Sequence, residues 1–333
     1  MRWLKHALIG AAVIVAAAVT SAAVFGATGK SAPHHGLAVA KDNKNKVKGK
    51  VQQGTLRVAG TNDDESIVLR LRDPSTLDLV VDGTSIDDFK RSDFNQIEVG
   101  AGGGDDVVAI DESNGAFTDT EATSLDGEGG NDRLVGGSFS ETLIGGDGND
   151  TIDGNRGSDV AFLGAGDDSF VWDPGDGSDT VEGQAGSDTM VFNGSNAGEG
   201  IDLSANGQRL RLTRDVGSIT MDTAGVETVD VNALGGIDTL TINDLSGSDV
   251  TNVKTDLSSN GAGDGQPDQV IVNGTAGNDA ITVTGSAGAA TVTGLPATVQ
   301  IAGAEPLRTR WRSTRSWATT LSMRRASQRM RSS

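Results

Sequence analysis

Residues 145–153 read Gly145-Gly146-Asp147-Gly148-Asn149-Asp150-Thr151-Ile152-Asp153, and this nine-residue pattern recurs across residues 126–191. Its general form is G-G-x-G-x-D-x-U-x, where U is an apolar residue. The acidic position is occupied in turn by Asp132, Glu141, Asp150, Asp159, Asp168, Asp179 and Asp188. Two places later stand Leu134, Leu143, Ile152, Ala161, Phe170, Val181 and Met190. Two positions locked to one period predict a repeat architecture.

Each nonapeptide divides into a six-residue turn and a three-residue strand. Because strand residues alternate between two faces, only the middle one, such as Ile152, is expected to point inward. If two nonapeptides close one coil, residues 18 apart stack on the same side. Asp132, Asp150 and Asp168 then form one column, and Glu141 and Asp159 form the opposite one.

A column of carboxylates at the strand spacing of ~4.8 Å requires a counter-charge. Two like charges at that distance repel by several kcal/mol at a moderate effective dielectric constant. A divalent cation between successive turns would remove the repulsion and use turn carbonyls as further ligands. A set of ligands made only of oxygen suits Ca²⁺, which accepts about 6–8 oxygens in flexible geometry.

The turns are rich in glycine, as expected where the backbone needs positive φ angles and approaches a ligand closely. The glycines two residues before the acid are Gly130, Gly148, Gly157, Gly166, Gly177 and Gly186. The residue just before the acid is polar in Asn131, Asn149 and Asp167. Asn and Asp tolerate the left-handed region and bond their own backbone, so we expect both properties at these three positions.

This segment resembles the hemolysin-type, or repeats-in-toxin, calcium-binding nonapeptide of secreted bacterial proteins. The resemblance implies an all-β fold: a parallel β-roll or β-solenoid of glycine- and aspartate-rich repeats, flanked by irregular β-rich coils. It also implies that several Ca²⁺ ions lie between adjacent turns, held by aspartate side chains and turn carbonyls. The metal ligands predicted in this way are Asp132, Asp150, Asp159, Asp168, Asp179 and Asp188, with Asp106 in an outlying copy, together with the polar residues and glycines named above.

Three copies depart from the pattern. Phe139 stands where a glycine is expected and Glu141 replaces the aspartate, so we expect a weak calcium site there or none. Asn155 replaces a second glycine. Trp172 and Asp173 are inserted residues, and they predict a bulge of the coil before the next turn.

The amino terminus has the order of a secretory signal: Arg2 and Lys5, an apolar run at 7–19, then small residues. We therefore assign residues 1–27 to a signal peptide, cleaved after Ala23 or as late as Ala40, with an uncleaved anchor as the alternative. Either way the remaining chain is expected to be secreted or extracellular, and cell-surface association stays open. Residues 28–50 form a basic linker, either a solvated charge run or a tether to cell wall or phosphate.

On either side of the repeats, short alternating stretches bounded by turn residues predict strands. Residues 51–125 are predicted to be a β-rich region that caps the solenoid, and residues 192–305 a β-rich region of degenerate repeats. Partial repeats at Asp238 and Asp279 suggest further calcium positions. The predicted strands are 56–58, 67–71, 77–79, 97–99, 209–213, 219–221, 226–231, 239–242, 270–272, 281–283 and 299–301.

Residues 306–333 carry eight arginines and no acid. Two interpretations stay open: a basic membrane-binding tail, or the product of a shifted reading frame. An alternative frame over residues 317–323 permits another acidic repeat, and we favour the shifted frame.

Composition excludes several classes of function. Residues 51–305 hold 11 basic and 45 acidic residues, a surplus that repels nucleic acid and anionic lipid. The chain has no cysteine, and its three histidines all precede residue 36, so neither a thiol enzyme nor a His-based protease or hydrolase can be built from the repeats. The glycine-rich stretches lack the lysine of a phosphate-binding loop, which disfavours nucleotide binding.

These features predict a secreted calcium-binding repeat protein, not an enzyme, whose acidic β-roll folds on meeting extracellular Ca²⁺. One alternative is an extracellular polysaccharide-modifying enzyme that works through paired carboxylates. Another is a calcium-dependent adhesive or surface-layer scaffold with a cell-surface or polysaccharide partner.

Overall fold

The chain passes back and forth between two β-sheets, placing one strand in each sheet per coil. The computed structural model describes residues 46–259, 261–286, 288–304 and 310–312. The predicted signal peptide lies outside this part of the chain, as does the linker before Lys46. Of the arginine-rich tail only the backbone of Arg310–Arg312 is described, as a strand.

The first sheet contains thirteen strands. In spatial order they are β1 (Lys48–Gln52), β2 (Thr55–Thr61), β6 (Gln96–Gly103), β8 (Ala122–Gly129), β10 (Glu141–Asp147), β12 (Val160–Ala165), β14 (Thr180–Ala185), β18 (Ile219–Ala224), β17 (Arg209–Arg214), β16 (Gly200–Asn206), β20 (Thr239–Ile242), β22 (Gln269–Val272) and β26 (Arg310–Arg312).

The second sheet also contains thirteen strands. In spatial order they are β23 (Thr282–Ser286), β24 (Ala289–Thr293), β25 (Thr298–Ala302), β21 (Asn252–Asp256), β19 (Thr228–Asn232), β15 (Thr189–Asn193), β13 (Ser169–Trp172), β11 (Thr151–Asp153), β9 (Arg133–Val135), β7 (Val107–Asp111), β3 (Ser66–Asp73), β4 (Thr76–Val81) and β5 (Thr84–Lys90). Two short 3₁₀ turns, Arg91–Asp93 and Val216–Ser218, complete the described secondary structure.

The register of the parallel ladders confirms the predicted coil of two nonapeptides. Leu143 pairs with Leu125 in the first sheet, and Ile152 pairs with Leu134 in the second, 18 residues apart in both cases. Where the insertion falls, the offset becomes 20, and Phe170 pairs with Met190. The fold is therefore a parallel β-solenoid, and the repeats form its β-roll.

The apolar repeat positions form the core, as predicted. All seven, from Leu134 to Met190, are fully buried and belong to one continuous cluster. Complete burial of a leucine or isoleucine side chain stabilises the folded state by about 1.5–3 kcal/mol. The stack of these residues is therefore the main apolar contribution to the stability of the solenoid.

The two sheets differ in strand length, so the prediction of three-residue strands holds for some repeat strands of the second sheet but not for those of the first. In the second sheet β9 and β11 have three residues each. In the first sheet β10 has seven, because its ladder continues through the glycine pair to Asp147. Gly146 pairs with Gly164 there, so the first turn glycines belong to a strand.

Antiparallel hairpins close the solenoid and also interrupt it. Strands β3–β5 form a meander at one end, and β23–β25 form another at the other end. Between β14 and β16 the hairpin of β17 and β18 enters the first sheet, while the second sheet continues directly from β15 to β19.

All eleven strands predicted on either side of the repeats lie within or overlap observed strands. The predicted strands did not include β5, which buries no residue, nor β7, β8, β16, β21 and β24. The prediction also placed the start of the fold too late, because β1 begins at Lys48 inside the predicted linker. Among the described residues, no helix is long and apolar enough to cross a membrane.

Candidate metal centre

The repeat acids stack one per coil, immediately before the strands, as the 18-residue spacing predicts. Beside the second sheet the column contains Asp106, Asp132, Asp150, Asp168 and Asp188. Asp150 Oδ1 accepts a hydrogen bond from the backbone N–H of Asp132 at 2.8 Å, and Asp168 Oδ1 accepts one from Asp150 at 2.7 Å. Each carboxylate thus ties its own coil to the preceding one.

A second column runs beside the first sheet. Asp159 Oδ1 accepts a hydrogen bond from the backbone N–H of Glu141 at 2.7 Å, and Asp179 Oδ1 accepts one from Asp159 at 2.9 Å. The two columns therefore follow the same rule, in which one carboxylate oxygen bonds the neighbouring coil.

The other carboxylate oxygen has no protein partner. All seven predicted aspartates are at most 3% exposed. Their Oδ2 atoms are buried and accept no hydrogen bond, in Asp106, Asp132, Asp150, Asp159, Asp168, Asp179 and Asp188 alike. Buried polar atoms are normally paired, because an unpaired one keeps its desolvation penalty, so a repeated exception indicates a ligand. Partnerless carboxylate oxygens fit a hard cation such as Ca²⁺.

Burial and mutual repulsion both disfavour the charged form of these acids. Burial, followed by the charge of neighbouring acids, raises the pKa of Asp132 and Asp150 to about 7. The same causes raise the pKa of Asp159 to about 9. Carboxylates that resist ionisation when the protein is alone gain most from a bound cation.

In several repeats the first glycine makes room around the partnerless carboxylate oxygen, as Gly127, Gly145, Gly154 and Gly183 do. A Cβ atom at Gly145 would lie 2.4 Å from Asp150 Oδ2 and 2.1 Å from the carbonyl oxygen of Leu163. Only glycine allows a carboxylate and a carbonyl oxygen to approach each other here, which is the arrangement that a calcium site made of oxygens requires.

The predicted turn glycines form a ladder of close backbone contacts. A Cβ atom at Gly148 would lie 1.7 Å from the carbonyl oxygen of Gly130, and one at Gly166 would lie 1.8 Å from that of Gly148. Positive φ angles, as predicted, occur at Gly130, Gly148, Gly157, Gly166 and Gly186. Gly177 is not among the positive-φ residues, but its Cβ would meet the carbonyl of Gly157.

The role predicted for the residue before the acid is wrong. Asn131, Asn149 and Asp167 do not have positive φ angles. Asn131 Oδ1 accepts a hydrogen bond from the Asn149 N–H at 2.9 Å, and Asn149 Oδ1 accepts one from Asp167 at 2.8 Å. These side chains bond the next coil instead of their own turn, because stacking brings that backbone within reach. Their assignment as metal ligands stays a prediction.

In the described part of the chain, no three acidic or imidazole side chains converge on one point to form a metal cluster. A β-roll spreads its carboxylates along a column, one per coil. A site in such a column depends on carboxylates from neighbouring coils and on turn carbonyls.

The three departures have different outcomes, and the weak or absent calcium site expected at Glu141 stays a prediction. Glu141 is buried like the aspartates, and its Oε1 atom has no protein partner. Trp172 does not bulge: it extends β13, is fully buried, and stacks on Phe192 with ring centroids 4.2 Å apart. Asn155 adopts φ 57° and so substitutes for glycine in the left-handed region.

The prediction missed acids that extend the columns beyond the repeats. Glu65 donates its N–H to Asp106 Oδ1 at 2.7 Å, and the Asp188 N–H donates to Glu227 Oε2 at 2.8 Å. Each of these glutamates directly precedes a strand. An acid immediately before a predicted strand is therefore the sequence feature that could have identified both as members of the columns.

Asp238 also lies in a column, although no neighbouring copy of the repeat stands 18 residues away to complete a site. Its Oδ1 accepts the Glu199 N–H at 2.9 Å, and its own N–H donates to Asp268 Oδ1 at 3.1 Å. Burial raises its pKa to about 7. Asp279, in contrast, is exposed and bonds its own turn at Thr275.

Comparison with protein families agrees with this geometry. The family model of the RTX calcium-binding nonapeptide repeat, in four copies, matches residues 124–140, 135–170 and 175–196. The matched segment is a set of hemolysin-type calcium-binding repeats, and with its buried aspartates it indicates calcium binding. A search of curated proteins found no significant match to the chain.

Proposed function

We propose that this protein is exported and that its acidic β-roll folds on binding extracellular Ca²⁺. The observation that carries the proposal is the row of buried aspartates whose Oδ2 atoms have no protein partner. Without a cation, burying these like charges opposes folding; with one, each buried carboxylate gains an attractive partner.

The expected energies are large enough to control a marginal fold. Ligand that binds only the folded state adds RT ln(1 + [L]/Kd) per site. With Kd values of ~10⁻⁴–10⁻³ M, typical of extracellular calcium modules, millimolar calcium adds roughly 0.4–1.4 kcal/mol per site. Several sites together contribute a few kcal/mol, a large part of the stability of an ordinary domain.

Export is supported by the order of charged, apolar and small residues at the amino terminus. Low cytosolic calcium would leave the acidic chain largely unfolded before export. Expression of the full chain in a bacterial host, followed by amino-terminal sequencing of protein from the medium, tests this part. Retention of the uncleaved chain in the cells contradicts it.

A calcium titration of the purified full chain tests the folding proposal. Circular dichroism should show a gain of β structure between chelator and millimolar Ca²⁺, with a much smaller gain for Mg²⁺ because Mg²⁺ demands a stricter octahedral geometry. Equal β signal in chelator and in calcium contradicts calcium-dependent folding.

A further inference from the structure

A loop outside the repeats ends beside the first carboxylate of the first-sheet column. The loop connects β7 to β8 and contains Glu112 and Thr118. Thr118 Oγ1 donates a hydrogen bond to Glu112 Oε1 at 3.3 Å. A Cβ at Gly137, whose N–H binds Glu141, would lie 2.8 Å from Thr118 Oγ1. Thr118 thus stands between two glutamates.

Each of the two glutamates has one oxygen bonded and one oxygen without a protein partner. Glu141 is 3% exposed; its Oε2 accepts the Gly137 N–H at 3.0 Å, and its Oε1 is buried and unpaired. Glu112 Oε1 accepts the Phe117 N–H at 2.9 Å, and its Oε2 is buried and unpaired.

Side-chain length explains why this position differs from the aspartates. The repeat aspartates use one oxygen to bond the preceding coil, whereas the longer Glu141 bonds within its own turn. The charge of Glu112 adds to burial in raising the pKa of Glu141 to about 7. The pair is therefore a concentration of negative charge with no cationic side chain among its hydrogen-bonding partners.

We propose that Glu112 and Glu141 form a further site for a hard divalent cation, Ca²⁺ foremost, completed by a loop that does not belong to the repeats. This inference rests on calcium binding by the repeats. Two carboxylate oxygens and the carbonyl of Gly154, which lies 2.4 Å from the Cβ position of Gly136, supply the oxygen chemistry that calcium prefers. The ion joins the amino-terminal β-rich region to the β-roll.

Glu112→Gln in the full chain tests the site. The amide oxygen can still accept the Phe117 N–H, while the charge is lost. Equilibrium dialysis at saturating calcium should show one ion fewer than the parent binds. Asp119→Asn is the matched control, because it removes one charge from the same loop at a side chain 46% exposed. The control should bind as many ions as the parent.

An unchanged ion count in Glu112→Gln, with the parent binding several ions, overturns this site alone. A parent that binds no calcium overturns calcium binding by the repeats as well. If circular dichroism shows that Glu112→Gln does not fold in calcium, the ion count of Glu112→Asp tests the site instead. This variant keeps the negative charge but has a side chain that is one methylene shorter. One ion fewer in Glu112→Asp supports the site, and a full complement rejects it.

Discussion

The repeat columns and the hairpin of β17 and β18 solve the same electrostatic problem in different ways. In the repeats, Asp150 Oδ2 and its equivalents are buried without a protein partner. Beside the hairpin, Glu199 is equally buried and its Oε2 atom also lacks a protein partner, but Arg214 forms an ion pair with its Oε1 atom. The guanidinium carbon of Arg214 also lies 5.2 Å from the centre of the Trp172 ring.

The two regions differ in the source of the positive charge that compensates their buried carboxylates. The repeats contain no buried cationic side chain at the columns, and under the proposed function their positive charge comes from cations in solution. The hairpin supplies a cation of its own from β17, so its stability should depend less on calcium than that of the repeats. A solenoid that contains both arrangements should respond to calcium more strongly in the repeats than beside the hairpin.

The largest expected effect comes from removing the cation that the hairpin supplies. Arg214→Met should lower the free energy of unfolding by about 3–5 kcal/mol, because it leaves Glu199 buried without its partner. Chemical denaturation should show the same loss in calcium and in magnesium. Arg209→Met on the same strand is the control: its side chain is 26% exposed, and the expected loss is about 1 kcal/mol or less. Equal losses of stability for the two variants would contradict the expected difference between the buried Arg214 ion pair and the more exposed ion pairs of Arg209.

A smaller effect is expected from neutralising two carboxylates of one repeat column. Asp150→Asn with Asp168→Asn keeps the acceptors for the stacked N–H groups but removes two charges. Calorimetry should show fewer bound calcium ions and a loss of about 1–3 kcal/mol of calcium-dependent stability. Exposed acids provide the control pair, Asp87→Asn with Asp93→Asn. A double variant that binds and melts like its parent would show that these aspartates are not ligands.

The pH dependence should reverse sign with calcium. In chelator, the pKa values of Asp132, Asp150 and Asp188 rise from 3.8 to about 7 in the folded protein. The folded state then holds more protons between these values, so their contribution to stability is complete below about pH 4 and is lost as pH rises through 7. Lowering pH from 8 to 5 should raise the melting temperature or the β signal in chelator.

In saturating calcium the same acidification should lower the melting temperature, because protons compete with Ca²⁺ for the carboxylates. Thermal melts at both pH values, with and without calcium, check the reversal. Parallel trends in the two series would contradict it.

The smallest effect is expected at an ion pair on the surface of the first sheet. Arg57 and Glu98 pair across β2 and β6 with side chains 39% and 30% exposed. Glu98→Gln should change the free energy of unfolding by about 0.5 kcal/mol or less, since water screens exposed pairs. A loss near that of Arg214→Met would mean that burial does not separate the two kinds of pair.

Local pattern was enough to predict the coil. The nine-residue period specified two strands per coil, the inward position from Leu134 to Met190, and the stacking of Asp132, Asp150 and Asp168. These features repeat within a few residues, so the chain carries several independent copies of the same information.

Features that depend on neighbouring coils escaped prediction. Asn149 was expected to bond its own turn, but stacking places the backbone of Asp167 nearer. Trp172 was expected in a bulge, but Phe192 one coil later gives it a stacking partner. Asp238 had no copy of the repeat 18 residues away, because the hairpin and a later loop put its hydrogen-bonding partners 39 and 30 residues from it.

By itself, the sequence determined the β-roll and its acidic columns and predicted binding of a hard cation, because alternation and charge repulsion act between residues whose spacing can be counted. Only the tertiary structure decided which acids outside the period join the columns, and where an arginine takes the place of an ion. Those choices depend on contacts between segments far apart in the chain, such as Arg214 with Glu199, and no local period encodes such distances.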